Sequence, residues 1–111
     1  MPTARRLVLS EPAERDLDHY WTTIASSNGE TVAEEQVRSL LATAERIASF
    51  PDMGRRRFSL GADLWSFPTR SHIVFYRAEG DAVTIVRFIP ARMDIEEEML
   101  TFLNKHFGPS D

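Results

Sequence analysis

The stretch SHIVFYRAEGDAVTIVRFI, residues 71–89, decides the fold of this chain. Aromatic and β-branched residues fill both of its halves, as is typical of β-strands. Glu79-Gly80 stands between the halves, at a position that favours a tight two-residue turn. The stretch therefore predicts a β-hairpin formed by strands at 71–77 and 82–89.

Two further strands are predicted outside this hairpin. Residues 63–67 include Trp and Phe and end at Pro68, so they extend the hairpin to a meander of three antiparallel strands. Residues 6–10 (RLVLS) form a short apolar run that predicts an N-terminal strand. Ser10 at its end is suited to cap a following helix, since a serine hydroxyl accepts a hydrogen bond from the first turn.

Apolar residues at helical spacing predict three helices. The first covers about 11–27, and the second begins at a capping box made by Thr31 and Glu34. The connection between them is short, so these two helices should form an antiparallel hairpin. A third helix begins at a second capping box, made by Asp94 and Glu97.

The predicted order of elements is β-αα-βββ-α, in one domain that spans 1–111. The class is α+β, with an antiparallel sheet packed on a helical hairpin. The absence of cysteine excludes disulfides and thiolate metal sites, and neither a Gly-rich phosphate loop nor a nucleophile-elbow serine occurs, so no cofactor and no metal are expected. Apolar runs are too short for a membrane helix or a signal peptide, so a cytoplasmic location is expected.

The register of the meander predicts which side chains share a face. Two-residue turns would place His72 opposite both Trp65 and Arg87, and opposed residues point to the same side. One face of the meander is apolar and is expected to receive the helical hairpin. The other face mixes aromatic and charged residues and is the candidate functional surface. The alternative is that the aliphatic stems of its arginines only cover the aromatic rings. The mixed face carries Trp65, Phe67, Arg70, His72, Val74, Tyr76, Ile85 and Arg87, and the apolar face carries Leu64, Ile73, Phe75, Val86 and Phe88.

The charge of the chain changes sign along its length. The total is −4, but residues 1–52 carry 5 Arg against 9 acids, residues 53–92 carry 7 Arg against 3, and residues 93–111 carry 1 Lys against 5. The middle segment, which contains three consecutive arginines, is therefore where an anionic partner is expected. The alternative for this triplet is a solvated loop.

Several segments, in their order and at this chain length, are similar to one known family. They are RDL (15–17), FPDMGR (50–55), HIVFYR (72–77) and the closing stretch DAVTIVRF (81–88), which is followed by ARMD (91–94). With them the chain resembles the ParE/RelE superfamily of bacterial type II toxins, and the closing stretch looks particularly like the ParE branch. The similarity covers nearly the whole chain.

The resemblance implies a toxin that a cognate antitoxin neutralises, expected to be a ribbon-helix-helix, ParD-like protein. For ParE members the implied target is DNA gyrase, which is inhibited by binding, so the chain is not expected to be an enzyme. No membrane partner and no sequence-specific nucleic-acid binding by the toxin alone are expected. Two alternatives stay open: a RelE-like ribosome-dependent mRNA endonuclease, and an inactive module that keeps the fold and binds only an antitoxin or DNA.

Candidate site residues follow from the sequence and the resemblance together. Target binding is expected at Arg55, Arg56, Arg57, Trp65 and Arg92. Antitoxin binding is expected along the first helix, with Trp21 as the anchor because aromatic residues dominate such interfaces, at Leu17, Tyr20, Trp21 and Ile24. No catalytic residue is expected, and a single lysine with a negative net charge argues against a ribosomal target. Were the chain a ribonuclease, its candidates would be Arg70, His72, Tyr76, Arg87 and Arg92.

Overall fold

A computed structural model describes residues 5–60 and 63–107. Within these ranges the predicted α+β class and order of elements are confirmed, except that sequence analysis missed a two-residue strand, β2. None of the helices in this part of the chain is both long enough and apolar enough to cross a membrane. The elements are β1 (Arg6–Leu9), α1 (Glu11–Asn28), α2 (Glu30–Ser49), β2 (Arg55–Arg56), β3 (Trp65–Pro68), β4 (His72–Glu79), β5 (Ala82–Pro90) and α3 (Ile95–Phe107).

The strands form one sheet in the order β1-β5-β4-β3-β2. β1 runs parallel to β5, and the other neighbouring strands are antiparallel. The hairpin of β4 and β5 is therefore the centre of the sheet. β1 and β2 are its edges.

Local signals set the boundaries of the helical hairpin. Ser10 Oγ accepts a hydrogen bond of 3.1 Å from the first turn of α1 and caps this helix as predicted. The predicted capping box of Thr31 and Glu34 is wrong, because α2 begins at Glu30, after Gly29, and no side chain caps it. Gly29 has a φ of 93°, which glycine adopts without strain, so one residue connects the two helices.

The turn between β4 and β5 differs from the predicted one. It contains Gly80 and Asp81, so that Glu79 pairs with Ala82. Every predicted partner in the first half of the hairpin is displaced by two residues, and a displacement of two keeps each side chain on the same face of the sheet.

A β-bulge at Val86 then changes the register, because β5 has one more residue than β4 at this point. Beyond the bulge, Arg87 lies opposite Phe75 and Phe88 lies opposite Val74. Both β5 residues are therefore on the faces opposite to those predicted for them.

The helical hairpin packs on the face of the sheet that the sequence analysis assigned to function. Val74, Tyr76 and Ile85 are fully buried there, in one cluster with apolar residues of α1 and α2. The other face carries Leu64 and Phe75 and is covered by α3. The predicted placement of the hairpin is wrong because both faces are apolar enough to be buried, and alternation within a strand does not say which helices cover which face.

Asp16 of α1 joins this helix to β5 beyond the bulge. Its carboxylate accepts hydrogen bonds from Arg87 Nε at 2.6 Å, from Arg87 Nη2 at 2.7 Å and from the Phe88 backbone N–H at 2.9 Å. β1 ends beside Ile85, so the Asp16 side chain occupies the edge of β5 where a longer β1 would pair. The two charged side chains are only 15% and 20% exposed, so little water is available to replace either partner.

We expect the substitution Asp16→Ala to lower the free energy of unfolding by about 2–4 kcal/mol, because it leaves Arg87 and the Phe88 N–H without an acceptor in a shielded place. Glu11→Ala is the matched control in the same helix, since it removes an ion pair with Arg15 whose side chains are 80% and 61% exposed. Its expected cost is less than about 1 kcal/mol. Urea unfolding followed by circular dichroism measures both variants, and equal losses would contradict this role of Asp16.

Candidate functional site

A groove of about 480 Å³ lies between α1, the turn from β3 to β4, and the end of β5. We call it the α1 groove. Its wall on the helix side comes from residues one turn apart, because positions three and four apart share a helix face. The lining residues are Asp16, His19, Tyr20, Thr23, Ile24, Arg70, Ser71, His72, Phe88, Pro90, Ala91 and Arg92.

His72 lies at the base of the α1 groove and is only 3% exposed. Its Nδ1 is 2.7 Å from Ser71 Oγ, and its ring meets the Tyr20 ring edge to face at a centroid distance of 4.5 Å. Burial lowers the pKa of His72; Asp16 opposes this effect and Arg92 adds to it. The lowered pKa favours the neutral imidazole, a hydrogen-bonding group, over the cation.

The charge at the rim of the α1 groove comes from Arg70 and Arg92, which are both exposed. In the parts of the chain that the structure describes, neither arginine pairs with a carboxylate, whereas the one carboxylate in the groove, Asp16, is paired with Arg87. The lining also includes the apolar side chains of Ile24 and Phe88. The groove thus combines an apolar interior with a positive rim.

The structure brings together only three of the five candidate ribonuclease residues. Arg70, His72 and Arg92 line the α1 groove, but Tyr76 and Arg87 do not. Arg87 is held by its ion pair and lies over the Phe102 ring, with the guanidinium carbon 5.0 Å from the ring centroid.

The Tyr76 side chain has a structural task in the core. Its hydroxyl donates a hydrogen bond of 2.6 Å to the Pro51 carbonyl and accepts one of 3.1 Å from the Gly54 N–H. A side chain at position 54 would collide with this phenol, which explains the glycine there. Burial raises the pKa of Tyr76, so the hydroxyl keeps its proton and closes the short 3₁₀ turn at Pro51–Met53.

A second surface lies at the β2 edge of the sheet, where Arg55 and Arg56 form the edge strand and not a loop. Arg56 Nη2 forms a 3.0 Å ion pair with Asp63 Oδ1, and its guanidinium carbon lies 5.4 Å from the Phe58 ring centroid and 5.7 Å from that of Trp65. We call the surface formed by Arg55, Arg56, Phe58 and Trp65 the β2 patch.

The three consecutive arginines therefore have different surroundings. Arg55 is exposed, and Arg56 is in contact with two aromatic rings. Arg57 is half-buried, donates from Nε to Ser66 Oγ at 2.6 Å, and burial lowers its pKa. Arg92, which the sequence analysis grouped with this triplet as target-binding, lines the α1 groove instead.

The four residues predicted to bind an antitoxin lie in α1 but differ in accessibility. Leu17 is 7% exposed and belongs to the core, so it could act on a partner only through its neighbours. Tyr20, Trp21 and Ile24 are half-buried, and Tyr20 and Ile24 line the α1 groove. Antitoxin binding at these positions stays a prediction.

Sequence analysis did not select Phe58, whose side chain is 80% exposed. The position belongs to no strand or amphipathic helix, so no periodicity marks it. The available signal was its place directly after three arginines, since arginine and aromatic residues together are typical of recognition surfaces.

Comparisons with known proteins agree on one family. The family model described as "ParE toxin of type II toxin-antitoxin system, parDE" matches residues 7–95. Among similar curated proteins, Toxin ParE3 of Caulobacter vibrioides is 30% identical over 85% of this chain and 94% of that protein. Toxin ParE1 of the same organism is 38% identical over 78% of this chain and 88% of that protein.

Two solved structures share the fold. One is described as the chromosomal ParDE TA system from P. aeruginosa, with a TM-score of 0.69, 17% identity, and coverage of 78% of this chain and 96% of that chain. The other is the toxin-antitoxin complex RelBE2 from Mycobacterium tuberculosis, with a TM-score of 0.61, 17% identity, and coverage of 84% and 98%. At this identity the likeness establishes the architecture alone.

The lowered pKa of His72 predicts a pH dependence of stability. When the pH falls through about 6.5, the unfolded state takes up a proton on this histidine that the folded state resists, so the free energy of unfolding decreases. Urea unfolding between about pH 7.5 and pH 5.5 should show a shallower decrease in His72→Gln than in the native chain. Equal slopes in His72→Gln and the native chain would contradict the prediction.

Proposed function

The chain belongs to the ParE toxin family of type II toxin-antitoxin systems, and from this membership we propose that it stops growth by binding DNA gyrase in the cytoplasm. A cognate antitoxin, expected to be of the ribbon-helix-helix, ParD-like type, neutralises it. The main support for a non-enzymatic mechanism comes from Tyr76. Its buried hydroxyl donates one hydrogen bond to the backbone of the 51–54 turn and accepts another from it.

Cleavage of mRNA at the 2′-hydroxyl would need a base, an acid and cations near the phosphate. Tyr76 is fully buried and its proton is donated to a carbonyl, so it is not placed to exchange a proton with a substrate. Arg87 is engaged by Asp16 and would have to leave that pair to reach a phosphate. The two residues thus support the fold, which favours inhibition by binding.

A RelE-like ribonuclease is the second candidate, because Arg70, His72 and Arg92 do line one groove. Two arginines could hold a phosphate there, and the imidazole in the same groove could serve as a base. Two observations weigh against this function: His72 is only 3% exposed, and Asp16, the carboxylate of the groove, is engaged by Arg87.

In the deciding experiment, expression of the chain is induced in bacteria that lack an antitoxin. The purified chain is also added to a gyrase supercoiling reaction and to a translation reaction with ribosome-bound mRNA. Inhibition of gyrase-catalysed supercoiling, together with a DNA damage response in cells, supports the proposed function. Cleavage of ribosome-bound mRNA that is lost in Arg70→Ala/Arg92→Ala would replace it with the ribonuclease function. Normal growth of cells that contain the folded chain would favour a module that only binds an antitoxin or DNA.

The α1 groove and the adjoining face of α1 are the proposed place of the antitoxin. Tyr20 and Ile24 offer apolar contact area beside the half-buried Trp21. Arg70 and Arg92, which pair with no carboxylate among the residues that the structure describes, suit carboxylates on the same partner. Such a rim would increase the rate of association, while the apolar contacts would slow dissociation.

The substitution Trp21→Ala should weaken antitoxin binding by about 2 kcal/mol, which is roughly thirtyfold in Kd, since buried aromatic anchors carry most of the energy of an interface. Thr22→Ala, at an exposed neighbouring position, is the matched control and should change Kd less than about twofold. Titration calorimetry with the purified antitoxin measures both values. An unchanged Kd in a folded Trp21→Ala chain would remove Trp21 from the interface.

A further inference from the structure

Of the large apolar side chains that the structure describes, Phe58 is the most exposed, at 80%. It begins the short 3₁₀ turn Phe58–Leu60, whose last residue, Leu60, is buried in the core beneath α3. The turn is fixed on its other side as well, because the Arg57 N–H donates to the Leu64 carbonyl at 2.7 Å and the Leu60 N–H donates to the Arg57 carbonyl at 3.0 Å. The exposure of Phe58 is thus imposed by a well-anchored turn.

Phe58 is part of an ordered arrangement of three side chains. The Arg56 guanidinium contacts the rings of both Phe58 and Trp65 and also forms an ion pair with Asp63. Trp65 is in turn stacked on the buried Tyr76 at a centroid distance of 6.2 Å. A surface already ordered in the free chain loses less conformational freedom when it binds, which favours affinity.

The charge around these side chains identifies the kind of partner. Arg55 and Arg56 are exposed on the edge strand, and in the described part of the chain Arg55 forms no ion pair. The surface therefore presents a positive field with an aromatic centre, which is complementary to an acidic protein surface with an apolar recess. A nucleic acid is a poorer fit, because the chain as a whole carries a net charge of −4 and repels a polyanion.

We propose that the β2 patch is the surface that contacts the toxin's protein target, with Phe58 as the anchor that enters an apolar recess, Arg56 stacked beside it and Arg55 facing acidic residues around the recess. This inference rests on the proposed function for the identity of the target. The three consecutive arginines then have different roles. Arg56 orients Phe58, Arg55 supplies charge, and the half-buried Arg57 holds the turn through its hydrogen bond to Ser66.

The test compares Phe58→Ala with Phe50→Ala, since Phe50 is also an exposed phenylalanine, at 59%, but lies outside the β2 patch. Phe58→Ala should raise the concentration that half-inhibits purified gyrase by about tenfold or more, and Phe50→Ala by less than about threefold. Antitoxin Kd and the urea midpoint should stay at native values in both variants. Equal inhibition by Phe58→Ala and the native chain would overturn the inference.

A third variant, Arg56→Lys, separates stacking from charge. Lysine keeps the positive charge but cannot form the planar contact with two rings, so inhibition should weaken by about threefold to tenfold. Inhibition at the native level, with loss confined to Arg55→Glu, would show that charge alone acts and would overturn the role of the stack.

Growth arrest on induction tests the β2 patch separately from the identity of the target. If the native chain stops growth without inhibiting gyrase, the proposed target is wrong, and loss of arrest in Phe58→Ala but not in Phe50→Ala still supports the β2 patch. A native chain that neither stops growth nor inhibits gyrase overturns both. Two further outcomes would overturn the choice of a protein target. One is that the native chain binds a single-stranded oligonucleotide at about 0.15 M salt and Phe58→Ala does not. The other is that the native chain forms a dimer in sedimentation and Phe58→Ala does not.

Discussion

The arrangement of this molecule depends on the carboxylate of Asp16 at the edge of β5. β1 pairs with β5 only as far as Ile85, so the Phe88 N–H, which lies beyond the bulge at Val86, has no partner in β1. Asp16 supplies the acceptor and pairs with Arg87 at the same time. It thereby fixes α1 at the end of β5 and forms one wall of the α1 groove. The same contact engages the Arg87 guanidinium, which would have to leave this pair to bind an external anion.

Helices cover both faces of the sheet. The surfaces that we propose for partner binding therefore lie at the margins of the sheet, which the helices do not cover. The α1 groove lies beyond the end of β5, where α1 overhangs the turn between β3 and β4. The β2 patch lies at the sheet edge, where only a two-residue strand is present and Arg56 organises two aromatic rings. One surface is concave with a positive rim, and the other has a protruding phenylalanine, so they suit partners of different shape.

The order of elements could be predicted because periodicity and capping signals are local. The faces of β4 and of the first half of β5 were also predictable, since the error in the turn displaced partners by two residues. The bulge could not be predicted from the strand pattern, because the residues that follow it are bound by Asp16, 72 residues away from Phe88. The structural task of Tyr76 was missed for the same reason, since its partners Pro51 and Gly54 lie 25 and 22 residues away. Such long-range contacts cannot be inferred from local sequence patterns. They determine which candidate site residues are free to contact a partner.

The central claim is that the target and the antitoxin use different surfaces, the β2 patch and the α1 groove. Hydrogen exchange of the chain, measured alone, with the purified antitoxin and with purified gyrase, tests it directly, because backbone protection reports where each partner binds. We expect gyrase to slow exchange in residues 55–60 and 64–67 and to leave residues 19–24 of α1 unchanged, and we expect the antitoxin to do the reverse. Protection of residues 19–24 by gyrase, with no change in residues 55–60, would show that gyrase binds at α1 and not at the β2 patch.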